Sequence, residues 1–127
     1  MIKLTRESVM LLHTLTIDET GGSDGVREEN LLVGSLENAF QTFDGQDLYL
    51  TIEEKAARLG YSLISNHAFV DGNKRIGTLV MLTFLEVNGV KMNYTDDDIV
   101  NLGLSVAKGE YKYPEVLSWI YSRIVDR

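Results

Sequence analysis

The stretch from Ile76 to Val87 constrains this chain more than any other. It is apolar almost all round, interrupted chiefly by Gly77, Thr78, Thr83 and Glu86. A helix without a polar face belongs at the buried centre of a bundle, and this run is well short of the roughly 20 residues a membrane span requires. It predicts a helix from Asn73 or Lys74 to Asn88 with Gly89 as its C-cap, around which the rest of the chain must form a shell.

That shell is written in helical periods. Thr5 is placed to cap a first helix reaching about Ile17, with Val9 and Leu12 turned inward and His13 beside them. Residues 19–25 form a glycine-rich loop. A second helix is expected from about Arg27, with Leu32, Leu36, Phe40 and Phe43 on one face. Asp44-Gly45-Gln46-Asp47 is a turn signal, and Leu48-Tyr49-Leu50 suits a short extended flap. Thr51 and Glu54 form a capping box for a third helix carrying Ile52, Ala56, Leu59 and Leu63 and ending near Asn66. Thr95 and the three aspartates after it open a fifth helix that ends at Gly109. Pro114 fits the first turn of a sixth, with Leu117, Ile120 and Ile124 inward. The expected fold class is all-α: a compact single domain, residues 1–127, of about six helices with a short β-hairpin flap.

Composition narrows the function classes. Nineteen acidic against 12 basic residues give a net charge of -7, which repels phosphate backbones and anionic lipid; direct nucleic-acid or membrane binding is not expected. Cysteine is absent, which excludes disulfides, thiolate nucleophiles and sulfur-ligated zinc. Met1-Ile2-Lys3-Leu4 runs straight into polar residues without an apolar leader, so a cytoplasmic location is expected.

The candidate chemistry lies where the buried helix begins. Amides at a helix N-terminus lack intrahelical acceptors and carry partial positive charge. They bind phosphate where the approach is open, and Gly72 is expected to keep it open. Lys74 and Arg75 add two cations, one a compact charge and one a planar fork suited to phosphate oxygens. Asp71 is a hard oxygen ligand of the kind magnesium takes. His67 is placed to accept a proton from an incoming hydroxyl. These are the parts phosphoryl transfer uses, gathered within nine residues. Asp71-Gly72-Asn73 equally suits a helix–turn–helix corner capped by Asn73, and spacing alone leaves both readings open. Two cations in a first turn, however, run against the helix dipole, a placement stability does not explain.

The run His67-Ala68-Phe69-Val70-Asp71-Gly72-Asn73-Lys74-Arg75 resembles the signature of the Fic superfamily in its shorter form, H-x-F-x-D-(G/A)-N-K-R, that of the Doc (death-on-curing) toxin family. Gly21-Gly22 with Arg27, the segment Thr51 to Ala57, and Phe84 to Gly89 are similar to that family as well. The resemblance implies that His67 is the base, that Phe69 anchors the loop, and that Asp71 holds Mg2+. It also implies that Gly72 and Asn73 form the anion hole and that Arg75 grips nucleotide phosphate. Lys74 stands where AMP-transferring relatives have a second glycine, which implies binding of ATP in reverse and transfer of its γ-phosphate. The implied role is the toxin of a toxin–antitoxin pair, a kinase acting on a translation factor (elongation factor Tu by family analogy). The self-inhibitory motif (S/T)-x-x-x-E-(G/N) is missing, which implies restraint by a separate Phd-like antitoxin. An AMP transferase and a catalytically silent binding module are the alternatives.

Three other features are weighed against simpler roles. His13 is read as a hydrogen-bonded core residue. Asp96-Asp97-Asp98 is read as a helix cap, since consecutive helix residues do not face one another. Tyr49 in the flap is a candidate for target docking.

Overall fold

A computed structural model describes residues 1–126. Among them the chain forms α1 (Arg6–Thr20), α2 (Glu29–Asn38), α3 (Ile52–Asn66), α4 (Asn73–Val87), α5 (Asp96–Ala107) and α6 (Tyr113–Ser122). Four short strands accompany them: β1 (Thr42–Phe43), β2 (Gln46–Asp47), β3 (Lys91–Met92) and β4 (Ile124–Asp126). The architecture is all-helical with two small antiparallel strand pairs, β1–β2 and β3–β4. No helix of the described residues is long and apolar enough to cross a membrane.

The caps are those the side chains dictate. Thr5 accepts from the Ser8 amide, and Thr51 and Glu54 exchange both bonds of a capping box. Thr95 and Asp98 do the same for α5. The Thr95 amide holds the Asp98 carboxyl below its ordinary value, and Arg123, 3.0 Å away, adds to this. The aspartate run thus has a capping role.

α4 occupies the centre as expected. Ile76, Val80, Phe84 and Leu85 are fully buried, with α3 its most extensive partner and α1 and α5 on its other sides. α2 and α6 cover α3. The α3–α4 approach is close because two glycines meet it. A Cβ on Gly77 would lie 2.5 Å from Ile64 Cγ1 and 3.2 Å from the Gly60 carbonyl oxygen. Gly77→Ala gains about 1 kcal/mol of helix propensity, but overpacking against the branched Ile64 side chain and the Gly60 backbone behind it costs about 1–3 kcal/mol. The expected result is a net loss of stability, seen as a lower urea midpoint; an unchanged or raised midpoint would show that the two helices part freely. Gly60→Ala should be milder, because its Cβ meets the flexible Met81 side chain first, at 2.9 Å from Sδ.

Several boundaries differ from the sequence reading. α2 starts at Glu29 and ends at Asn38, so Phe40 lies beyond it, and Phe43, 78% exposed, sits in β1 rather than on an inward face. The flap strands are Thr42–Phe43 and Gln46–Asp47, joined by Asp44 and Gly45 at φ 52° and 78°. An Asp-Gly pair with both φ positive is a hairpin turn, which pulls the strands ahead of Leu48-Tyr49-Leu50. Ile124 leaves α6 for β4, which pairs with β3.

Candidate active site

The loop between α3 and α4 is built from two left-handed residues. His67, the C-cap of α3, has φ 51° and ψ 50°; Gly72, the N-cap of α4, has φ 77° and ψ 19°. Between them Ala68 and Phe69 are buried, while His67 and Asp71 face solvent. The inward pair anchors the loop, and the outward pair presents an imidazole and a carboxylate on the same short segment.

Segment 25–28 pairs with this loop and fixes its backbone. Val26 and Phe69 form an antiparallel bridge. The amides of Arg27 and Glu28 both donate to the Ala68 carbonyl, at 2.8 and 3.1 Å, and the Val70 amide donates to Gly25 at 3.1 Å. Arg27 Nε donates to the His67 carbonyl (2.8 Å) and Nη2 to that of Asn66 (3.3 Å). Carbonyls at a helix C-terminus lack internal partners, so Arg27 both caps α3 and fixes the backbone of His67. The Asn73 side chain straddles Phe69: its Oδ1 accepts from the Phe69 amide and its Nδ2 donates to the Phe69 carbonyl, each at 3.0 Å. That amide is taken up by the loop, so Asn73 offers an anion its main-chain N–H.

The α4 N-terminus has no side-chain cap. Its first intrahelical amide bond is Ile76 N to Gly72 O, which leaves the amides of Asn73, Lys74 and Arg75 free of helix acceptors. Lys74 and Arg75 are exposed, and neither has an ion-pair partner among the described residues. The Lys74 stem lies against α5, where a Cβ on Gly103 would stand 3.3 Å from Lys74 Cβ. The reason for glycine at position 72 differs from the expected one. A Cβ there would point at Ile17 Cδ1 (3.3 Å) and His13 Nε2 (3.6 Å). Positive φ and the packing of α1 demand the glycine; clearance toward solvent does not.

Asp71 is held from the glycine-rich loop: the Ser23 amide donates to Oδ2 at 2.9 Å, and Gly22 comes so close that a Cβ would meet Asp71 Cβ and Oδ2 at 3.4 Å. Oδ1 accepts no hydrogen bond among the described residues and is free for a ligand.

His13 has contacts the sequence did not reveal. It is fully buried, its ring stacks on Phe69 at 3.9 Å, and Nε2 lies 2.7 Å from the Asp71 carbonyl oxygen. The sequence shows only its inward position on α1 beside Val9 and Leu12 and its character as a hydrogen-bonded core residue; Val9, His13 and Ile17 form the buried stripe.

Tyr49 is not brought to this site. Its carbonyl accepts from Lys55 Nζ, and its ring packs on Tyr113 at 5.3 Å, whose hydroxyl burial and the nearby Glu54 push up to about 12. Lys55 and His67 are twelve residues apart in sequence, about 18 Å along a helix axis, so Tyr49 sits toward the opposite end of α3.

The loop and the first turn of α4 therefore carry an exposed imidazole, a half-committed carboxylate and, among the described residues, unpaired helix amides and two unpaired cations. Residues 3–85, about two thirds of the chain, match the model of the Fic/DOC family. The chain belongs to that family. Within the Fic/DOC family, Toxin Doc of Mycolicibacterium smegmatis is 39% identical over 89 residues, which make up 70% of this chain and 66% of that protein. The chain thus matches just under two thirds of that relative's length.

Proposed function

We propose that this chain is the toxin of a toxin–antitoxin pair and that the α3–α4 loop transfers the γ-phosphoryl of ATP, with Mg2+, to a protein hydroxyl. Elongation factor Tu is the target by family analogy, and a Phd-like antitoxin restrains the toxin in the cytoplasm. The observation that carries this reading is the loop itself, in which His67 and Asp71 face solvent beside amides and cations that the fold leaves unpaired. The relative named Toxin Doc supports the toxin role.

The residues present fit magnesium and nucleotide phosphate. Asp71 is exposed, and its Oδ1, a hard donor, has no competing bond among the described residues, as suits a magnesium ligand. The free amides of Asn73 to Arg75 at an uncapped helix start suit an anion. Bound Mg-ATP would supply the phosphoryl group and a cation to screen its charge. A ring nitrogen of His67 takes the proton of the incoming hydroxyl. Lys74 and Arg75 meet negative charge gathering on the phosphoryl oxygens and on the departing ADP, an electrostatic contribution rather than a covalent one. The uncompensated cost of cations near this helix start is about 0.3–1 kcal/mol each, and an anionic ligand reverses its sign.

Incubating the protein with Mg2+, elongation factor Tu and ATP labelled at either the γ- or the α-phosphate tests the assignment. Label should pass to the factor from the γ position alone. Transfer from the α position would replace the kinase by an AMP transferase, and transfer from neither would remove this chemistry.

A further inference from the structure

We propose that His13 is a positioning residue for the site, setting the Asp71 carboxylate and the first amides of α4 through one buried ring. The proposal rests on the function given above for this loop.

The ring reaches three points of the loop system from a different helix. It lies nearly parallel to Phe69, 17° between planes at 3.9 Å. Nε2 donates to the Asp71 carbonyl at 2.7 Å, and Nδ1 faces Asp24 Oδ1 at 3.2 Å. Asp24 is itself fixed by the Gly25 amide (2.9 Å) and the Thr14 hydroxyl (3.2 Å). The bond to the Asp71 carbonyl bears on both halves of the site. That carbonyl belongs to the peptide plane joining Asp71 to Gly72. Its orientation sets how the Asp71 side chain leaves the loop and how Gly72 turns into α4. The turn at Gly72 in turn aims the amides of Asn73, Lys74 and Arg75. A ring nitrogen lying 3.6 Å from where a Gly72 Cβ would be leaves that plane little room to tilt.

Core filling alone does not account for an imidazole here. An apolar residue would fill the same space without burying two polar nitrogens that must each find a partner. What the imidazole adds is direction, through the Nε2 hydrogen bond to the Asp71 carbonyl and the Nδ1 contact with Asp24, one on each of the two segments that frame the site. Groups that orient a metal ligand from behind are worth about 10–100-fold in activity or metal affinity, which sets the expected effect.

The test compares His13→Met, which removes both polar contacts, with His13→Gln, whose amide can still donate to the Asp71 carbonyl. Hydrogen exchange of residues 67–75 is measured without nucleotide, and kcat and KM for γ-phosphate transfer are measured beside it. His13→Met should speed exchange in the loop and lower kcat by about 10–100-fold with KM for the protein substrate little changed. His13→Gln should recover most of both. A merely structural role would make the two variants equal, with activity following melting temperature. Wild-type protection and turnover in His13→Met, or equal losses in both variants, would overturn the proposal. If His13→Met does not fold, Asp24→Ala decides, since it frees Nδ1 from a half-exposed partner; wild-type loop exchange and kcat in that variant would be equally fatal. Wild-type protein that transfers no phosphate sinks the kinase reading alone, because loop exchange is read without nucleotide.

Discussion

Replacing His67 with alanine is expected to lower phosphoryl transfer by about 10²–10⁴-fold, the usual contribution of a positioned general base, while the protein stays folded. The separation of the two effects follows from how His67 is held. Its ring is exposed and makes no hydrogen bond among the described residues, whereas its carbonyl is what Arg27 Nε grips at 2.8 Å. Backbone placement therefore survives loss of the ring. The one structural cost is conformational: His67 has φ 51°, and a residue with a Cβ pays about 1–2 kcal/mol in left-handed backbone. Asparagine tolerates that region better than alanine, so His67→Asn should match wild type in thermal melting and match His67→Ala in inactivity. Initial rates of γ-phosphate incorporation, with a circular dichroism melt on each protein, check both statements. Either variant working at the wild-type rate would mean that the proton goes elsewhere.

What could be read ahead of the structure followed the range over which each signal acts. Caps are local, and Thr5, Thr51 with Glu54, Thr95 with Asp98 and Pro114 all sit at the helix starts that their side chains imply. The all-round apolarity of α4 is a property of twelve consecutive residues and marked the centre of the fold. Phe43 falls outside the helix face that its spacing predicts, because a spacing of three or four residues looks the same whether or not the helix has already ended. The Asp44-Gly45 turn, with two positive φ values, decided the matter locally. The β3–β4 pair joins residues 91–92 to 124–126, too few on either side for any alternation to show.

The site divides along the same line. The nine residues from His67 to Arg75 are contiguous, so their chemistry could be read together. The groups that hold them lie far away in sequence: His13 is 58 residues from Asp71 and Ser23 is 48, and no periodicity connects such pairs. Gly72 shows the limit within the motif. The residue type was informative, but the direction of its missing side chain, toward Ile17 and His13, depends on where α1 packs.

Asp71→Asn carries the second large effect, an expected loss of about 10²–10³-fold in transfer, the scale seen when one preorganised electrostatic group is removed. The carboxylate has two oxygens with different duties. Oδ2 accepts the Ser23 amide at 2.9 Å, which ties the glycine-rich loop to the site, and Oδ1 is free. An asparagine can turn its oxygen toward Ser23 and keep that tie. Its NH2 then occupies the free position, where a cation needs an acceptor, and the negative charge is gone. Asp71→Asn should therefore melt like wild type, with weakened dependence on Mg2+. Asp71→Ala loses the Ser23 bond too and should add faster hydrogen exchange at residues 22–24 to the same catalytic loss. The pair separates the two oxygens: exchange follows the tie to Ser23, and rate follows the charge. If Asp71→Asn turned over at the wild-type rate across a Mg2+ titration, the carboxylate would hold only the loop, and the metal would have to sit on other groups.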